Sequence, residues 1–142
     1  MAGALAAFIE DAYQDTLSLM TELRDYLTAF QASKGNDTDV QTRTRVIAEI
    51  SAITRNLTEG MAWLLVQKAV AAGEITAEDA HARSEGMLER VDEATDHPPA
   101  LDAKALPMEV RSYIDRSRRI YDQIHKLRDM TDRGMDRRAG RV

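Results

Sequence analysis

Three histidines, His81, His97 and His125, are the side chains best suited to proton transfer or metal binding near neutral pH. Their spacing serves neither purpose. A zinc-binding helix presents two histidines one turn apart, as in His-Glu-x-x-His, and no such pair occurs. A carboxylate-bridged di-metal bundle needs Glu-x-x-His on facing helices. Asp122-Gln-Ile-His125 is the nearest imitation, and it stands alone. His97 precedes Pro98 and Pro99 and reads as a loop residue, whereas His125 falls off an apolar stripe and is expected to be exposed. Glu78, Asp79, Glu85, Glu89, Asp92 and Glu93 crowd one segment. A solvated acidic face explains them better than acid–base catalysis. The seven glycines are scattered and form neither a nucleotide-binding loop nor a dinucleotide fingerprint. With no cysteine, a thiolate site and a disulfide framework are both excluded. The residues therefore predict no catalytic, cofactor or metal site, and no enzyme.

The remaining polar chemistry is basic. Arg116-Ser-Arg-Arg119, with Arg111, Lys126 and Arg128, has the charge to meet phosphates. Asp115, Asp122 and Asp129 interleave with it and lower the local field, so a solvated face with ion pairs such as Asp122 with Lys126 is the expectation. Nucleic-acid binding is not expected. Charge is unevenly spread about the net of -5. Residues 1–39 carry two basic and seven acidic side chains, and residues 76–102 carry two and eight. Residues 40–75 carry four basic and three acidic, and residues 103–142 carry eleven and six. Such asymmetry shapes association more than fold. Arg111, Arg118, Arg119, Arg133, Arg137 and Arg138 are the candidate partner-binding residues, alongside the acidic segment.

Long helices must position these groups. Leu5, Phe8, Ile9, Ala12, Tyr13, Leu17, Met20, Leu23, Leu27 and Phe30 recur at three- and four-residue steps, which predicts a helix from about Ala2 to Ala32. The opening run from Met1 to Ile9 lacks a basic start and is cut by Glu10 and Asp11, so it reads as helix rather than a signal sequence. Gly35 and Asn36 suit a helix end. Asp37, Thr38 or Asp39 can cap a second helix reaching about Ala72, with Gly73 as its stop. Its expected stripe is Val40, Ile47, Ile50, Ile53 or Thr54, Leu57, Met61, Leu64 or Leu65, and Ala69. Trp63, the only tryptophan, sits with Leu64 and Leu65 in the most apolar run of the chain, as core or as subunit interface.

Thr76-Ala-Glu-Asp79 reads as a capping-box-like start, with Asp in place of the usual Glu or Gln, for a third, weaker helix over about Ala77–Val91, carried by Ala80, Met87, Leu88 and Val91. Pro98 and Pro99 mark a loop. A last helix starts near Pro107 and ends near Met130, with Val110, Tyr113, Ile114, Ser117, Ile120, Tyr121, Ile124 and Leu127 inward. The pattern predicts an all-α protein: a three-helix bundle of long antiparallel helices with a short extra helix. The expected domains are a helical bundle over residues 1–130 and a mobile basic tail over residues 131–142. Helices this long leave apolar surface for a second copy, so a homodimer is expected. No run is long and apolar enough for a membrane span, and a cytoplasmic protein is the expectation.

The segment Trp63-Leu-Leu-Val-Gln67, followed by Ala69-Val-Ala-Ala-Gly-Glu-Ile-Thr76, resembles the DUF1465 family of alphaproteobacteria. Leu106-Pro107 and Ser117-Arg-Arg-Ile-Tyr121 in the last helix are similar too, as is the order of elements over almost the whole chain. The resemblance implies a small, usually dimeric three-helix bundle with a mobile C-terminal tail. It implies an adaptor of the ClpXP protease, one that binds client proteins and other regulators and helps deliver them to the unfoldase during the cell cycle. It carries over no catalytic residues and no cofactor.

Overall fold

A computed structural model of the chain describes residues 2–33, 39–96 and 105–139. The described residues form five helices and no strand: α1 (Ala2–Ala32), α2 (Val40–Ala71), α3 (Ala77–Ser84), α4 (Glu89–Asp96) and α5 (Met108–Ala139). The predicted breaks at Gly35 and at Pro98–Pro99, and His97 with them, lie outside the described residues.

Local chemistry sets the ends of α2. The Asp39 carboxylate accepts from the Thr42 backbone N–H at 2.7 Å, so Asp39 is the cap among the three candidates. At the other end Gly73 takes φ +75°, a left-handed conformation that glycine adopts without penalty. Its N–H donates to the Val70 carbonyl and that of Glu74 to the Ala69 carbonyl, which satisfies two of the last free acceptors.

Two predictions of helix extent fail. The third helix is two helices. Thr76 caps α3 as expected, accepting from Asp79 N–H at 3.1 Å. Gly86 then takes φ +78° and turns the chain before α4. The end of α5 also differs, because it passes Met130 and continues to Ala139. Thr131, Gly134 and Met135 line a shared groove with α1 and α3, and this tertiary setting extends a run of weak intrinsic propensity. Residues 131–139 are thus helical.

The three long helices form the bundle, but they are not all antiparallel. Glu10 pairs with Lys68 at 2.8 Å, and Arg43 donates to the Phe30 carbonyl at 3.3 Å, so α1 and α2 run in opposite directions. Arg116 meets Glu22, and the Tyr113 ring meets Tyr26, so α5 also opposes α1. Consequently α2 and α5 are parallel. The short α3 and α4 bring the chain back along α2 and fill the gap beside α5.

The core gathers Ile9, Ala12, Leu19 and Leu23 of α1 with Val46, Ile50, Ile53, Leu57, Trp63 and Leu64 of α2. Leu88, Val91 and Leu106 join Val110, Ile120, Tyr121, Ile124 and Leu127 of α5. The α5 stripe is read well, although Tyr113 and Ile114 are only half-buried. Phe8, Leu17 and Val40, expected on inward stripes, are exposed instead, and of the alternatives Leu64 and Leu65 it is Leu64 that is buried. Thr16 is buried in the place of Leu17; its hydroxyl donates to the Ala12 carbonyl at 2.7 Å and so costs little to bury. Gly60 lies inside α2, where a Cβ would stand 2.7 Å from Ile124 Cδ1. Its absence of a side chain is what lets α2 and α5 approach there.

Candidate functional site

A half-open groove of about 920 Å³ lies at one end of the bundle. Five helices build it. The first turns of α1 bring Leu5 and Ile9, and the end of α2 brings Trp63, Gln67 and Val70. Ala80 of α3 and Leu88 beside α4 close one wall, and Met130 to Met135 of α5 form the other. The floor is apolar. The rim carries His81, Glu85, Glu89, Asp92, Arg128, Asp132 and Arg133.

The rim is anchored by one carboxylate. Asp92 Oδ2 accepts from Arg128 at 3.0 Å, and its Oδ1 lies 2.7 Å from His125 Nε2. Burial pushes the Asp92 carboxyl upward, but the bonds and positive charge of Arg128 and His125 together outweigh it and hold the carboxyl below its usual range. An ionised carboxylate only accepts, so His125 Nε2 donates. His125, expected to be exposed, is therefore held: its side chain is 20% accessible. Likewise the acidic segment is not wholly a solvated face, because Asp92 ties α4 to α5.

A second carboxylate sets where α4 begins. Leu88 precedes the helix and has no side-chain acceptor, yet the amides of Arg90 and Val91 are satisfied by Glu59 Oε1 of α2, at 2.7 and 3.2 Å. On the far side of the rim His81 Nδ1 lies 3.8 Å from Asp132, linking α3 to the end of α5. Among the described residues no group of three His, Asp or Glu side chains could hold a metal ion. No described helix is long and apolar enough to cross a membrane.

Among the described side chains, the predicted arginines do not assemble into one patch. Arg118 donates to the Ala94 carbonyl at the end of α4, at 3.4 Å. Arg111 is half-buried, with its Nε in contact with neither solvent nor an acceptor. Arg119 is exposed between α5 and α1, beside Asp15 and Ser18. Only Arg133 reaches the groove, while the side chains of Arg137 and Arg138 lie outside the described ones. Arg116, read as a possible phosphate contact, makes a two-bond clamp on Glu22 at 2.9 and 2.6 Å. That clamp lowers Glu22 and raises Arg116 from their ordinary values. Trp63 and Leu64 are core, at 2% and 0% accessible, while Leu65 is 48% accessible. Sequence reasoning missed Glu59, Asp92 and His125 as a set, because their partners stand more than thirty residues away. The acidic crowding around Asp92 was the only signal.

The described residues thus form an all-α helical bundle with an open groove lined by apolar and charged side chains. The chain belongs to the DUF1465 family, whose model, described as a protein of unknown function, matches residues 2–140. No curated protein matches the chain, and no solved structure does.

Proposed function

We propose that this chain is a non-catalytic, cytoplasmic adaptor in regulated proteolysis, helping deliver cell-cycle regulators to the ClpXP protease. The observation that carries the reading is the groove, which offers a partner protein apolar and charged side chains at one end of the bundle. The reading also draws on the resemblance of the Trp63–Thr76 segment to the regulator of CtrA degradation (RcdA).

The adaptor acts as a homodimer. Glu10 and Lys68 pair across α1 and α2, and steps of three and four residues place Tyr13 and Leu17 on the same side as Leu65 and Met61. Leu17 and Leu65 are 43% and 48% accessible, so this outer face carries apolar surface suited to a second copy.

Reconstitution tests the role. Purified unfoldase, protease and a client regulator are combined with and without the chain, and client loss is followed by gel. The expected result is faster degradation with the chain present. Unchanged degradation of every client recovered with the chain from alphaproteobacterial lysate overturns it. A version ending at Met130 removes Thr131 to Met135 from the groove and is expected to recover fewer partners.

A further inference from the structure

We infer that the groove at the Trp63 end of the bundle takes a basic amphipathic helix of a partner protein. This deepens the adaptor reading and rests on it only in taking the ligand to be a protein.

The charge balance of the rim points to the partner. Asp92 and Arg128 are bonded to each other and cancel. That leaves Glu85, Glu89 and Asp132 against Arg133 on the lip, with His81 beside Asp132. Glu85 and Glu89 are exposed and stand on the two sides of the Gly86 turn, at the mouth of the groove. An occupant carrying lysines or arginines on its solvent side meets complementary charge there, and an acidic one is repelled.

The floor points to a helix. The first turns of α1, the end of α2 and the last turns of α5 line it, with α3 alongside. A groove lined by several helices accepts side chains projected at three- and four-residue steps, the mode in which an amphipathic helix lies in a groove. Met130 and Met135 line it, and unbranched methionines adapt to anchors of different shape. A helix laid there completes the bundle where α3, only 8 residues long, leaves it open.

The test uses the full-length chain and three labelled synthetic peptides of about 18 residues, five helical turns. One has leucines on one face and lysines on the other, the second has glutamates for the lysines, and the third scrambles the first. Fluorescence anisotropy is read with wild type, with a rim variant (Glu85→Lys, Glu89→Lys, Asp132→Lys), with Met130→Glu in the floor, and with Asp115→Lys, Asp122→Lys on the outer face of α5. Circular dichroism checks that each keeps its helix content.

The lysine peptide is expected to bind wild type at least about tenfold more tightly than the other two, with affinity falling as salt rises. The rim variant and Met130→Glu are each expected to lose about tenfold, and the outer-face variant nothing. Equal binding of the lysine and glutamate peptides overturns the inference. So does lysine-peptide binding that the rim and floor variants leave unchanged. If the rim variant instead dissociates a dimer, the occupant is a second copy and the inference fails. Peptide binding with no effect on degradation sinks the adaptor reading but upholds the groove. Normal delivery by groove variants, with no peptide binding by wild type, does the reverse.

Discussion

The two ends of this bundle are built on opposite plans. At the end where α1 finishes and α5 starts, side chains close on one another. Tyr26 stacks on Phe30 with centroids 5.9 Å apart and meets Tyr113 edge-on at 5.5 Å. The Arg43 guanidinium sits 4.7 Å over the Phe30 ring, and Arg116 grips Glu22 with two bonds. At the other end two short helices split at Gly86 pack beside the three long ones, and a groove of about 920 Å³ remains. The first end uses its aromatics and charges to fix three long helices. The second holds short helices through single carboxylates, Glu59 and Asp92, and leaves apolar surface uncovered. Aromatic contacts and a two-bond ion pair close the first end, whereas at the second the buried Trp63 lies against an open groove.

The sharpest way to break that contrast is Trp63→Ala. Trp63 is 2% accessible and packs beneath the groove. Its removal is expected to cost about 3–5 kcal/mol in chemical denaturation. A loss below about 1 kcal/mol would show that the groove end contributes nothing to the core. Next in size is Gly60→Leu, which forces Ile124 aside where α2 meets α5. About 1–3 kcal/mol of destabilisation is expected from urea unfolding. Gly60→Ala is expected to stay within about 1 kcal/mol of wild type, because the helix-propensity gain opposes the displaced methyl.

Glu59→Ala separates the two ends more finely. It frees the amides of Arg90 and Val91 at the start of α4. The expected loss is about 0.5–2 kcal/mol. Hydrogen exchange is expected to quicken in α4 and not around Tyr26 and Phe30; uniform quickening would mean that the short helices unfold with the rest.

The smallest effect is acid-linked. Asp92 titrates lower in the folded chain than in the unfolded one. The folded state therefore binds fewer protons, and the stability this group supplies is present above about pH 4 and fades as pH falls toward the folded value. Its side chain is 41% accessible, so the contribution is expected to be below about 1 kcal/mol. Asp92→Asn should flatten the acid limb of the stability curve, and an unchanged limb would point to Glu22, Glu10 and Asp39. All three are also lowered, by hydrogen bonds from Arg116, from Lys68 and from the Thr42 amide.

The long helices were legible because their cues are local. The three- and four-residue apolar rhythm of α1, the Asp39 cap and the Gly73 stop of α2, and the Val110-to-Leu127 stripe of α5 all act within a few residues. The rotation of each stripe was less legible. A helix flanked by apolar residues on either side of its buried face gives no local reason to prefer Leu17 over Thr16, and only the neighbours of α1 made that choice. The site was hardly legible at all, since the groove draws on five helices from Ala4 to Met135.

By itself, then, the sequence determined an all-helical chain, the spans of α1 and α2, the start of α5 and the family. Those properties follow from propensity, caps and periodicity, which neighbours in the chain supply. Tertiary structure alone decided that α2 and α5 run parallel, that α5 continues to Ala139, that Glu59 starts α4 and that Asp92 holds His125. Each of these depends on groups brought together from distant parts of the chain, and burial and charge fix them only once the helices have packed.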